Sequence, residues 1–191
     1  GYDHTCAVTI SSDAYCWGQN NLGQLGDGTF IQRVQPTGVV GLSPSGTRIG
    51  FMAQIAAGEF HTCGTTPTGT VFCWGDNMSG QVGNANLGTL HVFPAIVSGI
   101  GVAVSHIEAG EAFTCVLDTG GGARCWGENL DGQLGDGTTI SRFSPALVSG
   151  FATGVAQIGL GDFHACADTS TGLRYCWGDS FFGQLGNGSL T

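Results

Sequence analysis

Gly110-Glu111-Ala112-Phe113-Thr114-Cys115-Val116-Leu117, then Asp118-Thr119-Gly120-Gly121-Gly122, then Ala123-Arg124-Cys125-Trp126-Gly127: two short apolar runs flank a cluster of turn formers. The stretch reads as strand, glycine turn, strand. Cys115 and Cys125 lie equally far from Gly120, so the hairpin sets them opposite each other. The same arrangement recurs at Cys6/Cys16-Trp17, Cys63/Cys73-Trp74 and Cys166/Cys176-Trp177, and the four copies take up every cysteine and tryptophan of the 191 residues. Each Trp is followed six residues later by Gly23, Gly80, Gly132 or Gly183, the start of a Gly-Gln-(Leu/Val)-Gly segment. A feature repeated at a fixed place builds a fold before it performs chemistry.

Counted from the glycine that opens each copy, the units are 1–57, 58–109, 110–160 and 161–191, the last incomplete. Periods of 57, 52 and 51 residues fall with propeller blades rather than helical solenoids. Ahead of the hairpins, Ala53/Ile55/Ala57, Ser105/Ile107/Ala109 and Ala156/Ile158/Leu160 alternate, which predicts a further strand with one packed face. Pro94 and Pro145 introduce a fourth strand near Ala95-Ile96-Val97 and Ala146-Leu147-Val148, at a strand start or outer edge where the missing N–H is not needed. No window sustains a 3.6-residue period, so the chain reads as all-β. The Gly-Gln-Leu-Gly-Asp-Gly-Thr stretches at 23–29 and 132–138 are fixed turns; a phosphate-cradling loop would carry a Lys and open a helix, and these do neither.

Composition narrows the partners. The formal charge is −9, and the five basic residues are Arg33, Arg48, Arg124, Arg142 and Arg174. Such a surface repels phosphate backbones and anionic lipid, so nucleic acid is not an expected partner. No apolar run approaches the ~20 residues that cross a bilayer, and membrane insertion is not expected.

Eight pairable cysteines point to an oxidising compartment and to disulfides Cys6–Cys16, Cys63–Cys73, Cys115–Cys125 and Cys166–Cys176. Buried free thiols and a metal site are the rival readings, and the Cys-x9-Cys spacing is not that of a zinc finger or ribbon. No cofactor motif is present. His4, His61 and His164 precede their Cys by two residues, but Phe113 stands there in the third unit, which rules out a repeated ligand role. The acid–His pairs Asp3/His4, Glu59/His61 and Asp162/His164 are repeat-equivalent and read as fold elements; no residue stands out as catalytic. His106 aligns with Gln54 and Gln157, which suggests a polar contact between blades, and His91 matches nothing in the motif. Asp27, Asn84, Asp136 and Asn187 make oxygen-rich turns, with too few carboxylates each for Ca²⁺. Asn77-Met78-Ser79 and Asn187-Gly188-Ser189 match the glycosylation acceptor pattern, although each Asn also fits a turn position.

His-Thr-Cys, Cys-Trp-Gly and Gly-Gln-Leu-Gly-Asp-Gly-Thr, spread over essentially the whole chain, resemble the repeats of the regulator of chromosome condensation family. The paired-cysteine form is similar to copies in bacterial secreted and surface proteins. The resemblance implies a β-propeller of about four blades here, against seven in the best-known members. The expectation is a portion of a longer seven-bladed chain; the alternative is an open arc completed by neighbouring subunits or a homo-oligomer. It also implies protein-binding roles, among them a secreted inhibitor of β-lactamases; nucleotide exchange on a small GTPase suits neither the disulfides nor the acidity.

If the motif is scaffold, specificity lies where the copies differ. The tips between Trp-Gly and Gly-Gln read Asn21-Leu22, Met78-Ser79, Leu130-Asp131 and Phe181-Phe182. Equivalent loops of successive blades share one face, so Leu22, Met78, Leu130, Phe181 and Phe182 are candidate partner-binding residues; the rival is that they fold back on the neighbouring blade. A Ser/Gly/Pro-rich insertion at 43–50 reads as a surface loop. The leading expectation is a non-enzymatic interaction or structural module of an extracellular or cell-surface protein. A polysaccharide-acting enzyme is the further alternative, to be revived by two carboxylates converging in a pocket.

Overall fold

The computed structural model describes residues 1–41 and 52–190, so the insertion at 43–50 lies outside the described residues. Among the described residues, fourteen strands form four antiparallel sheets. The first holds β1 (His4–Val8), β2 (Ala14–Gly18) and β3 (Arg33–Gly38). In the second, β4 (Gln54–Ala57), β5 (His61–Thr65), β6 (Val71–Gly75) and β7 (His91–Ile96) pair in chain order. The third repeats that order with β8 (Val104–Ala109), β9 (Phe113–Asp118), β10 (Ala123–Gly127) and β11 (Arg142–Leu147). The fourth consists of β12 (Val155–Leu160), β13 (His164–Thr169) and β14 (Arg174–Gly178). No helix occurs among the described residues, as the missing 3.6-residue period predicts.

Sheets follow one another around a shared centre, where β4 packs between β1 and β8, and β8 packs against β12. β4 closes the sequence unit 1–57 yet pairs with β5, so each inner strand comes from the end of the preceding unit. The core is therefore made between sheets. Phe113, Leu117 and Leu134 meet Val155, Ile158 and Ala165 across one gap; Val71, Val82 and Val97 meet Val104, Ile107 and Trp126 across another; Leu25 and Val39 meet Met52 and Trp74 across a third.

Two expectations need correction. The alternation fails at its first members: Ser105 and Ala156 are exposed, while Val104 and Val155 are buried beside Ile107 and Ile158. A register shift between Val104 and His106, and between Val155 and Gln157, inserts one residue and turns the strand start over. Met52, just ahead of β4, fills the same inward place. The prolines take the outer-edge place, the second alternative, not the strand start. Pro36, Pro94 and Pro145 lie inside β3, β7 and β11, which are outermost in their sheets, and each sits where the pairing register slips.

Within each hairpin the cysteines are direct cross-strand partners and are joined, Cys6–Cys16, Cys63–Cys73, Cys115–Cys125 and Cys166–Cys176, with Cα atoms 4.1 Å apart. That spacing suits a close antiparallel pair. Cys63, Cys73, Cys115 and Cys125 are fully buried, so these bridges fill the core as well as closing the loop. Replacing Cys115 and Cys125 together by Ala is expected to lower the unfolding free energy by about 3 kcal/mol, the loop-closure value. Urea denaturation of the variant beside the parent measures this, and an unchanged midpoint would refute it.

Candidate functional site

The best-formed polar constellation joins one sheet to the next. In the second joint the Gln81 carbonyl accepts both the Trp126 indole N–H at 2.9 Å and the Thr114 hydroxyl at 3.2 Å. His61 Nε2 meets the same hydroxyl at 2.9 Å. Because the Thr114 proton goes to Gln81, Nε2 carries the hydrogen and donates. The first joint repeats this: Trp74 and Thr62 donate to the Gln24 carbonyl at 3.0 and 2.8 Å, and His4 Nε2 meets Thr62 at 2.8 Å. The indoles lie over Gly26, Gly83 and Gly135, all at positive φ, where a Cβ would come 2.7, 2.5 and 2.6 Å from the Trp Nε1. Hence the invariant Trp and the glycine after Gln-(Leu/Val): one ring caps the backbone of the blade before it.

In the third joint, Trp177 still donates to the Gln133 carbonyl at 2.9 Å, but the His–Thr pair is replaced at both ends. Phe113 stands for His and Ala165 for Thr, and both are fully buried in one apolar cluster. Loss of the ring nitrogen and of its hydroxyl partner therefore go together. The acid–His pairs read from the sequence are not pairs, since His4 and His61 turn away to threonine.

The Gly-Gln-Leu-Gly-Asp-Gly-Thr turn is held by the Asn preceding it. Asn20 Nδ2 donates to the Thr29 and Ile31 carbonyls at 3.0 and 3.1 Å, and its Oδ1 accepts from the Leu25 N–H at 3.0 Å. Asp27 accepts from the Thr29 N–H and hydroxyl and, at 2.7 Å, from Arg33; Asp136, Thr138 and Arg142 repeat the set. Burial pushes both carboxyls up, but the Thr and Arg hydrogen bonds outweigh it and hold them below the usual range. In the second repeat Asn84 replaces the Asp and His91 the Arg, and the two meet at 3.0 Å. His91 thus has a place in the motif that the sequence did not reveal, because one extra residue shifts its spacing. Asn77 is fully buried, with its amide bound to Asn86 and Val82, which leaves no room for a glycan; Asn187 is exposed. Gln54 makes the expected polar contact between sheets, to the Ser105 carbonyl at 2.8 Å, whereas His106 pairs with Glu108 on its own strand at 3.0 Å.

Around the shared centre, Tyr2, Glu59, Glu111 and Asp162 occupy one place in the four repeats and line an open depression of about 470 Å³. A backbone relay links them: the Glu59 N–H donates to the Glu111 carbonyl and the Glu111 N–H to the Asp162 carbonyl, both at 3.1 Å. Desolvation, a hydrogen bond with Glu59 and the nearby charges of Glu59, Glu128 and Asp162 raise the Glu111 carboxyl to about 7. Every described arginine is matched to an aspartate elsewhere, Arg33 to Asp27, Arg124 to Asp118, Arg142 to Asp136 and Arg174 to Asp168, so none of them answers this acidic centre.

The variable tips rise at the same end of the sheets, since Asp76, Glu128 and Asp179 donate their N–H groups to the carbonyls of Phe60, Ala112 and Phe163, which adjoin Glu59, Glu111 and Asp162. Met78 is 66% exposed, Leu130 69%, Phe181 69% and Phe182 84%, so these side chains do not fold back. Leu22 is half-buried: it stands one place later than Met78, Leu130 and Phe181, and Asn21 holds the exposed position. The tips are pinned, with Met78 and Phe181 donating N–H to Asp76 and Asp179, and the Gln81 and Gln184 amides bracing those same carboxylates.

The geometry defines a disulfide-stapled β-propeller whose sheets are locked by Trp-to-carbonyl joints. The regulator of chromosome condensation (RCC1) repeat model matches residues 12–64, 68–117 and 121–167, and a second model of the same description matches 52–81, 104–133 and 155–184. The chain belongs to the RCC1 repeat family. It is 32% identical over its full length to E3 ubiquitin-protein ligase HERC2 of Homo sapiens, of which it spans 4%. Among solved structures it is similar to human WBSCR16, with a TM-score of 0.86 and 25% identity, covering 100% of this chain and 49% of that one. Prp20p of Saccharomyces cerevisiae superposes with a TM-score of 0.83 at 21% identity, covering 99% of this chain and 46% of its own.

Two pH effects of opposite sign follow. Burial lowers His61 to about 3, so between there and its ordinary 6.5 the folded state binds fewer protons than the unfolded chain, and stability falls as pH drops through that window. His61→Phe is expected to cost about 1–2 kcal/mol at pH 7 by depriving the buried Thr114 oxygen of the hydrogen it accepts, while its own proton still goes to Gln81, and adding Thr114→Ala, which recreates the Phe113/Ala165 joint, to recover most of it. Acid sensitivity below pH 6 is smaller in both variants; urea titrations at pH 5 and 7 that show equal pH slopes would contradict the assignment. Glu111, raised to about 7, binds more protons when folded, so its contribution to stability grows as pH falls from about 7 to 4.5. Glu111→Gln is uncharged throughout and is expected to exceed the parent in melting temperature at pH 8, with the advantage shrinking by pH 5. A constant offset would exclude the proton-sharing geometry.

Proposed function

We propose that the chain is a protein-binding propeller module of an extracellular or cell-surface protein, without catalytic activity, and that it engages its partner through the face carrying the tips and the acidic centre. The observation that carries the reading is the exposure of Met78, Leu130, Phe181 and Phe182 on pinned loops beside carboxylates that no described arginine answers. Apolar anchors held in advance lose little entropy on binding, and uncompensated acid selects a partner presenting cationic groups among apolar ones. Four disulfides support an oxidising location. Prp20p, a structural relative, has binding properties to Gsp1p and histones, and protein binding is the property carried over to this chain.

Glu59 and Glu111 do converge in the central depression, the arrangement that would revive a glycosidase reading. Glu59 and Glu111 stand at the same place in successive repeats, as Tyr2 and Asp162 do in theirs, so neither is the singular, preorganised acid or base that such chemistry needs. The pair belongs instead to the partner-facing surface.

Substituting Met78, Leu130, Phe181 and Phe182 together by Ser is expected to abolish partner capture from surface-protein extracts, identified by mass spectrometry, with little change in melting temperature. Capture of the same partner at undiminished yield would remove this face from consideration.

A further inference from the structure

The order of the strands grades one end of the molecule from its centre to its rim. In the second sheet β4 lies at the shared centre and β7 outermost, and β8 and β11 hold those places in the third. Glu59 and Glu111 stand in the turns that leave the innermost strands, Asp76 and Glu128 directly follow β6 and β10, and the tips come next. Farther out, just before the outermost strands, Leu87 and Ile140 are 56% and 64% exposed. The side chains beside the tips hold these rim residues too. Asn77, next to Met78, donates to the carbonyl of Asn86, the neighbour of Leu87; Asn129, next to Leu130, donates to the Ile140 carbonyl at 3.1 Å. Asn20 ties the exposed Ile31 in the same way in the first sheet. The second and third sheets each pack against a neighbour on both sides, so this exposure belongs to the end surface and not to an open flank.

Apolar groups thus occupy the outer part of this end and carboxylates the inner part. Amides brace Asp76 and Glu128, and every described arginine is engaged elsewhere. Burial and the charge of Asp131 push the Glu128 carboxyl up, as burial and Glu59 do for Glu111. A cation placed among these groups relieves a repulsion that no described residue relieves, whereas one held over Leu87 or Ile140 gives up water without a partner.

We propose that the partner of this face carries a basic projection encircled by an apolar collar. The projection enters beside Glu59, Glu111 and Glu128, and the collar rests on Met78, Leu130, Leu87 and Ile140. This rests on the protein-binding reading and specifies the order of charge and apolar surface on the partner. A uniformly basic surface would leave the outer apolar groups uncovered, and a uniformly apolar one would strip water from the carboxylates without pairing them.

The probe is a library of disulfide-closed peptides of about twelve residues, selected on the immobilised chain with its disulfides intact. Binders are then measured singly by fluorescence anisotropy at pH 8, above the value of about 7 for Glu111. Selected sequences are expected to carry Lys or Arg in mid-loop with apolar residues on either side. Leu87→Ser combined with Ile140→Ser is expected to weaken them about tenfold with little change in melting temperature, and Glu111→Gln combined with Glu128→Gln by about as much. Sequences with apolar middles and basic ends, sequences without basic residues, or the absence of any binder would each overturn the proposal. Binders weakened by the fourfold Ser substitution of the tips but not by the rim pair would remove the collar and leave the tip face standing. Binders indifferent to the tips as well would sink both readings.

Discussion

The carbonyls of Gln24, Gln81 and Gln133 are the points on which this structure turns. Each lies near the start of a glycine-rich turn in one sheet and accepts the indole N–H of the next. A sheet of three or four short strands cannot bury a face alone, so it gains stability only by stacking on a neighbour at a fixed angle. Dispersion and apolar burial bring the sheets together but do not set their register. The donor, acceptor and glycine gap do, because a small slip would strand an indole N–H and a carbonyl in a dry interface, at about 1–3 kcal/mol each. Disulfides act one level below, fixing each hairpin so that its Trp points outward from a stiff frame.

Matched substitution is the consequence. Where His becomes Phe113, its partner becomes Ala165, and where Asp becomes Asn84, the facing Arg becomes His91. A buried polar group tolerates either a complete partner set or none. The repeats are therefore free to diverge only in pairs that span two blades or the two ends of one turn. Single-position comparison of the repeats hides this, since the coupled residues lie 52 apart in one case and seven in the other.

Such rigidity separates scaffold from surface. The Asn and Gln side chains that brace each turn leave the adjoining tip residues projecting without support from the core, so Met78, Leu130, Phe181 and Phe182 can vary without disturbing the joint. The described arginines are tied to the turns and hairpins by Asp27, Asp118, Asp136 and Asp168, so none of them compensates the acid around the centre. One end of the propeller thus combines fixed backbone, variable apolar groups and unbalanced charge.

The sequence alone determined the strand–turn–strand unit, its number of copies and the all-β class, because turn formers and alternation are local and repetition makes them unmistakable. It also located the exposed tips, apart from Leu22, whose offset of one residue only an aligned structure exposes. It put the prolines on outer strands but began those strands too late, and it misread the starts of β8 and β12, since a one-residue bulge reverses side-chain direction and leaves no mark on composition. What only the tertiary structure decided is which groups meet across sheets: that the histidines seek threonine rather than the neighbouring acid, that His91 stands in for an arginine, and that Glu111 leans on Glu59. Those choices are made by groups far apart in the chain competing for the same few buried partners, and that competition exists only once the sheets have stacked.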